Sequence, residues 1–315
     1  MRLDLITAGG CTVDIVYAAD GTTAGRQLGG NAIYAAAGAH IWGLRAGVVA
    51  FCGTGLPARW ADVLAALEID TEGLVPVNVP ASVTEFFYGA DGERTQRLWA
   101  PDTRGAPQPY LPADTGEPIR QLRLSPAHLP PRYLRARAAH LAPLPPEVQR
   151  ALVGALAHMD PLTLDPSPHL MGDASPDALR ALLEPVAVFL PSREEVRARY
   201  PQLSPQEALA QLAPLARRAT VIKLGRHGAL VGDGAGRRHV VPAVPVRARD
   251  PTGAGDAFCG GMLAGLLDGR DVVQAAACGA VSASFAVERF GLAGLILADP
   301  TERDRRWRWV LEHTQ

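Results

Sequence analysis

Arg249-Asp250-Pro251-Thr252-Gly253-Ala254-Gly255-Asp256-Ala257-Phe258 is the stretch on which the reading of this chain turns. A β-rich segment, Val240 to Val246, precedes it and an apolar run, Cys259 to Leu267, follows, so the order reads strand, glycine-rich turn, helix. A helix N-terminus presents unpaired N–H groups and a partial positive charge, and glycines let that backbone approach a phosphate closely. Gly253, Ala254 and Gly255 can therefore form an anion hole. Asp256 falls in the first helical turn, where a carboxylate can accept the proton of a hydroxyl approaching that phosphate. A purely structural account makes Thr252 an N-cap, Asp256 an acid favoured by the helix dipole, and the glycines turn residues. Gly260, Gly261 and Gly265 inside the helix each cost roughly 1 kcal/mol relative to alanine, a cost that close packing or ligand approach must offset.

Outward from this motif, short apolar runs that suit buried strands alternate with helical stretches. Leu3 to Ala8 is followed by Ala32 to Ile41, and Ala46 to Phe51 by Trp60 to Leu67. The rhythm returns with strands near Leu162 to Leu164, Val186 to Leu190 and Ala219 to Leu224. Such alternation predicts an α/β fold with a doubly wound, mostly parallel sheet flanked by helices. Two segments break the rhythm, Cys11 to Leu28 and Ser82 to Trp99, and both read as strand pairs. In the second, Asp91-Gly92 between β-rich arms is a hairpin signal. Inserted strands of this kind predict a small β lid, from segments near 11–28 and 82–99, on a single domain spanning 1–315. Residues 100–146 are proline-rich and read as a loop with short helices.

Composition narrows the functional classes. With 48% hydrophobic and 20% charged residues the chain is an ordinary globular one. A net charge of -1 argues against nucleic acid as partner, since binding there needs a concentrated basic surface. Arg303-Asp304-Arg305-Arg306-Trp307-Arg308-Trp309 could stack on bases, but Val310 and Leu311 continue it as an amphipathic terminal helix. Lys223 is the single lysine of the sequence. Cys11, Cys52, Cys259 and Cys278 form no C-x-x-C pair and read as core thiols of a reducing, cytoplasmic protein. No apolar run reaches the roughly 18 residues a membrane span needs, and the N-terminus lacks a signal-like core.

Asp250 to Asp256 resembles the signature of the phosphofructokinase B, or ribokinase-like, family of carbohydrate kinases, with Pro251 where threonine is usual. The resemblance implies ATP and Mg²⁺ as cofactors, Asp256 as catalytic base, and Gly253, Ala254 and Gly255 as the anion hole. It extends over nearly the whole chain. Gly9-Gly10-Cys11-Thr12-Val13-Asp14 looks like the family's first strand, ending in a substrate-binding Asp14. Leu28-Gly29-Gly30-Asn31-Ala32-Ile33-Tyr34 looks like its Gly-Gly motif, which implies that Gly30 admits substrate against the backbone. Tyr34 stands where ribokinases carry asparagine and would offer an aromatic wall to a ring or base. His140-Leu141-Ala142-Pro143 falls where they carry a substrate-binding glutamate. Leu190-Pro191-Ser192-Arg193-Glu194-Glu195 resembles the N-x-x-E segment that places the metal, with Ser192 for asparagine and Glu195 as the matching acid. Val221-Ile222-Lys223-Leu224-Gly225-Arg226-His227-Gly228 resembles the strand and turn that meet the ATP phosphates, which implies roles for Lys223, Gly225 and Gly228. Cys278 to Ser284 is similar to the small-residue helix beside adenine, implying Gly279 and Ser282.

The expected activity is thus phosphorylation of a hydroxyl on a sugar, polyol or nucleoside, with Arg94, Arg97 and Arg104 available to an anionic substrate. Apolar lid residues Phe86, Tyr88 and Leu98 would meet the substrate or a second copy, giving a homodimer through the lid. Two other classes compete. Gly53-Thr54-Gly55-Leu56-Pro57-Ala58 matches a G-x-G-x-x-A dinucleotide fingerprint in outline, as in an NAD-dependent oxidoreductase. A non-catalytic, ligand-binding descendant of the kinase fold is the other.

Overall fold

The structure is a computed structural model that describes residues 2–89, 94–99 and 118–315. Its strands are β1 (Leu5–Ala8), β2 (Thr12–Tyr17), β3 (Thr23–Gly29), β4 (Ala46–Thr54), β5 (Leu74–Pro80), β6 (Val83–Tyr88), β7 (Arg94–Trp99), β8 (Ala138–Leu141), β9 (Leu162–Leu164), β10 (Val188–Phe189), β11 (Ala219–Lys223), β12 (Ala229–Asp233) and β13 (Arg238–Val241). Nine of them form one sheet in the order β13-β12-β11-β10-β9-β8-β1-β4-β5. From β5 to β11 every neighbour is parallel, and β12 and β13 close one edge as antiparallel strands.

A parallel sheet covered on both faces needs strands that are apolar at successive positions. Leu5, Val48 and Ala138 face one core, with the helices Asn31–His40, Ala254–Leu267 and Val272–Val287. Their chain neighbours Ile6, Val49 and Ala139 face the other, with Pro146–Leu156, Pro176–Leu183 and Pro205–Leu212. The helical glycines find their compensation in the first core. A Cβ on Gly260 would lie 1.8 Å from the Ala35 carbonyl oxygen, and one on Gly38 would lie 2.2 Å from that of Ala257. The Asn31–His40 and Ala254–Leu267 helices thus cross backbone against backbone, which brings the start of each to the same end of the sheet.

The remaining strands make a second sheet, β3-β2-β6-β7. β2 runs parallel to β6 and antiparallel to β3, and β6 is antiparallel to β7. Tyr17 and Phe87 stack on it with ring centres 4.7 Å apart. Phe86 is buried at 9% exposure within the chain itself.

Two expectations needed amendment. The segment Val240 to Val246 is strand only as far as Val241, because Pro242 and Pro245 lack the N–H a ladder requires, and β13 pairs antiparallel at the edge. The proline-rich stretch contains β8 in its described part; Ala-Ala-His-Leu is too short and too rich in alanine to read as strand, and burial between β1 and β9 overrides that. The Arg/Trp run is indeed a helix, Pro300–Glu312, with Trp307 Nε1 donating to the Gln274 carbonyl at 3.2 Å and the Arg270 guanidinium between Trp307 and Trp42. The Asp91-Gly92 turn and Arg104 lie outside the described residues, as do the side chains of Arg94, Arg97 and Leu98. No described helix is long and apolar enough to cross a membrane.

Candidate active site

Gly253 is the N-cap of the Ala254–Leu267 helix, with a left-handed φ of 71°. The ring of Tyr34 lies directly beneath it, since a Cβ there would meet the ring Cγ at 2.2 Å. Glycine is required on both counts. Thr252 is not the cap. Its hydroxyl instead meets the Tyr88 hydroxyl of the lid at 2.9 Å. Asp250, fully buried, braces the turn from behind, accepting from Thr252 N and Gly291 N at 2.9 Å each. Gly255 is exposed and Asp256 half-buried in the first turn, so the open N–H groups and the carboxylate share one mouth.

Lys223, at the end of β11, comes up under this turn, and a Cβ on Gly255 would be 3.7 Å from its Nζ. The ammonium is paired with Asp165 and lies 3.5 Å from Cys259 Sγ. Burial works against its charge, but the carboxylates of Asp165, Glu195 and Asp256 outweigh burial and hold Lys223 above the usual lysine range. A fixed positive charge therefore stands behind the anion-binding backbone. Asp165 was not singled out in the sequence. The available signal was its place, the first residue after the buried strand β9, because ligand sites of parallel sheets lie beyond the carboxyl ends of the strands. Its Oδ1 is buried and has no hydrogen-bond partner among the described residues.

Glu195 closes a capping box with Ser192: Ser192 N donates to its carboxylate at 2.5 Å, and Glu195 N to Ser192 Oγ at 3.5 Å. Serine in place of asparagine is thus a helix cap here. Ser192 bridges to Lys223 across β10 and β11, which puts the Glu195 helix start beside the lysine. Gly225, with φ 59°, lies in an exposed turn with open space where a side chain would be. Gly228 is held by fold instead, since a Cβ would meet Val241 O at 2.0 Å.

Across the mouth, Asp14 on β2 is buried at 4% exposure and accepts from Thr12 Oγ1 at 2.9 Å. Its carboxylate lies over Gly29, where a Cβ would be 1.9 Å from Oδ2. Gly30 packs on the Gly10 carbonyl, 2.3 Å from a would-be Cβ, so this glycine admits protein backbone. Asn31, another residue missed, clamps the region by accepting from Gly10 N at 2.7 Å and donating to the Pro143 carbonyl at 2.9 Å. Tyr34 is 1% exposed and forms the floor of the turn rather than an open wall. Its hydroxyl has no hydrogen-bond partner among the described residues, and burial together with Asp14, Asp250, Tyr88 and Asp256 pushes its pKa up. Asp14 and Asp256 thus act on one hydroxyl from two elements.

The structure does not bring Gly279 and Ser282 to this mouth. Ser282 is fully buried, donating to Gly38 O and accepting from Trp42 Nε1, and Gly279 packs under Phe258. Their small size serves helix packing. The dinucleotide outline also fails locally: β4 continues through Thr54, Gly53 is pressed against the Ala81 backbone, and the next helix begins only at Trp60.

A glycine turn with a buried cation behind it and an acid at its rim can hold a phosphoryl group and take a proton from a nearby hydroxyl. Solved structures that share this architecture include nucleoside kinases and a probable sugar kinase. A Burkholderia thailandensis nucleoside kinase in complex with inosine superposes with a TM-score of 0.72, at 18% identity over 98% of both chains. An E. coli protein named as a ribokinase II, solved with ATP and Mg²⁺, gives 0.73 at 21% identity over 98% of this chain and 99% of the other. In sequence, cytidine kinase of Thermococcus kodakarensis is 28% identical over 294 residues, 92% of this chain and 98% of the relative. The model of the pfkB family carbohydrate kinases matches residues 5–298, and the chain belongs to that family. It is accordingly a phosphotransferase with a hydroxyl acceptor, within a family of sugar and nucleoside kinases.

Proposed function

We propose that this enzyme transfers the γ-phosphoryl group of ATP to a hydroxyl of a nucleoside or sugar, with Asp256 as general base. The observation that carries the reading is the Gly253 turn: left-handed, braced by Tyr34 and Asp250, backed by Lys223, and opening on Asp256. Phosphoryl transfer depends chiefly on positioning and on stabilising charge spread over the transferred group. The N–H groups from Gly253 to Gly255 and the Lys223 charge would hold the phosphates. Glu195 would help place Mg²⁺, whose contribution is to neutralise phosphate charge. Few protein ligands are needed for that ion, consistent with the lack of any cluster of three His, Cys, Asp or Glu among the described residues. Asp14 would hold acceptor hydroxyls, and Gly29 keeps its carboxylate in place. Tyr88, bonded to Thr252, would close the lid over the reacting groups and exclude water.

A cytidine kinase relative that aligns over 92% of the chain makes a pyrimidine nucleoside the first acceptor to test. Purified enzyme with ATP and Mg²⁺ is to be offered cytidine, uridine, adenosine, inosine, ribose, fructose and myo-inositol, with products identified by mass. Asp256→Asn is expected to lower kcat by roughly 10²- to 10⁴-fold with ATP binding and fold retained. A folded Asp256→Asn enzyme that turns over at the wild-type rate would remove the catalytic assignment.

A further inference from the structure

A cavity of about 660 Å³ lies between β3 of the lid and the corner where the Val272–Val287 helix gives way to Ala293–Ile296. It shares no lining residue with the mouth around Gly253. Its volume is within the roughly 300–1,000 Å³ usual for small-molecule sites. Phe285, Phe290 and Leu297 give it an apolar floor. The walls are held by main chain. A Cβ on Gly294 would lie 1.9 Å from the Phe285 carbonyl oxygen, so the two helices touch backbone to backbone. The Val287 carbonyl accepts from Arg249 N at 2.7 Å and from Asp250 N at 3.0 Å, and Gly291 N donates to the Asp250 carboxylate at 2.9 Å. The cavity is therefore preformed.

Its charge is also set by the fold. Arg249 and Arg289 both line it, the first with its guanidinium 4.9 Å from the centre of the Phe290 ring, the second exposed. Neither guanidinium has a hydrogen bond or ion pair among the described residues. The two lining acids are engaged elsewhere. Glu288 is held by Arg306 through both oxygens, at 2.8 and 3.1 Å, and Asp299 caps the Pro300–Glu312 helix by accepting from Glu302 N at 2.8 Å. Asp20, whose charge reaches Arg249 from the turn between β2 and β3, is not a lining residue and accepts from Thr22 N and Oγ1 at 3.0 and 2.6 Å. Two guanidinium forks thus border an apolar floor with no anion to match them.

Guanidinium forks fit the oxygens of a phosphate group and stack on planar rings, while the floor favours a flat body over a hydrated sugar. A nucleoside monophosphate combines the two. We propose that this cavity is a nucleotide-binding site separate from the Gly253 mouth, with Arg249 and Arg289 on the phosphate and the base against Phe290 and Leu297. Inorganic phosphate and sugar phosphates carry the anion without the body, and a free nucleoside carries the body without the anion.

The test is photolabelling of the full-length protein with 8-azido-AMP, in excess non-hydrolysable ATP analogue and Mg²⁺, followed by peptide mapping with the label located by fragmentation. Label is expected within residues 290–297. AMP should compete for it, and ribose 5-phosphate, inorganic phosphate and adenosine should compete far more weakly. Arg289→Ala removes a charge-assisted contact and is expected to raise the probe concentration for half-maximal labelling by about tenfold or more. Leu297→Glu changes a side chain that is 63% exposed, so the fold is retained while a negative charge is set beside the ligand, and labelling should weaken likewise. Both variants are expected to keep the wild-type thermal midpoint. Label confined to other segments, label that both variants leave unchanged, or competition by ribose 5-phosphate or inorganic phosphate as strong as by AMP overturns the proposal. The readout is the position of the label and not turnover, so its outcome is independent of the kinase reading.

Discussion

His140 is fully buried in β8, with Nδ1 3.0 Å from Thr163 Oγ1 and Nε2 lacking a hydrogen-bond partner among the described residues. Burial, and then the charge of Lys223, lower its pKa to about 3. The unfolded chain therefore takes up this proton first. The stabilising contribution of neutral His140 is complete above its ordinary pKa of 6.5 and is lost as pH falls from there towards 3. Each pH unit in that window should cost about 1.4 kcal/mol. His140→Gln is expected to flatten the dependence of thermal midpoint on pH between neutrality and pH ~4.5; equal slopes would mean that the native imidazole titrates normally. Asp165→Asn should be more severe, since breaking a buried pair from one side costs about 3–5 kcal/mol. Adding Lys223→Met is expected to restore most of that stability while kcat stays low, which chemical denaturation and kinetics on the same samples would resolve. Asp256 and Asp14 were legible because each stands in a short local motif. Asp165 was not, because its partner lies 58 positions away and only the sheet brings the two together.

Two glycines in helices show what an element's surroundings decide. Gly154, in the Pro146–Leu156 helix, has nothing within 4 Å of a would-be Cβ, so Gly154→Ala should stabilise by about 0.5–1 kcal/mol. Gly260 meets the Ala35 carbonyl, so Gly260→Ala should destabilise by about 1–3 kcal/mol or more. Urea midpoints of the two variants are expected to move in opposite directions, and a shared direction would contradict the close crossing of the two helices. The lid presents a further element-scale test: Tyr88→Phe removes the contact with Thr252, worth about 1 kcal/mol, and should raise the acceptor KM several-fold with stability nearly unchanged. The strands of the parallel sheet were readable because both faces are buried and the runs are apolar throughout. β8 escaped because four residues without a β-branched side chain carry no such signature, and its pairing with β1 and β9 alone defines it.

For the molecule as a whole, the parallel sheet and the lid sheet meet at the Gly253 turn, so ligands that fill the mouth should stabilise both together. A non-hydrolysable ATP analogue with Mg²⁺ is expected to raise the thermal midpoint, by the equivalent of about 2.7 kcal/mol at one hundred times its Kd, and NAD to leave it unchanged. Stabilisation by NAD alone would revive the dehydrogenase alternative. Alternating strands and helices made this architecture legible from sequence, but the contact of Tyr34 with Gly253 depends on how two helices cross, which no local pattern encodes. The sole lysine of the chain is buried in that same place. A lysine-directed protease therefore has a single internal bond to cut, and it cannot reach that bond until β11 detaches from its neighbours. The appearance of two fragments becomes a clock for opening of the catalytic end of the sheet, one that bound nucleotide should slow, and amine-reactive dyes should leave Lys223 unlabelled until that end opens.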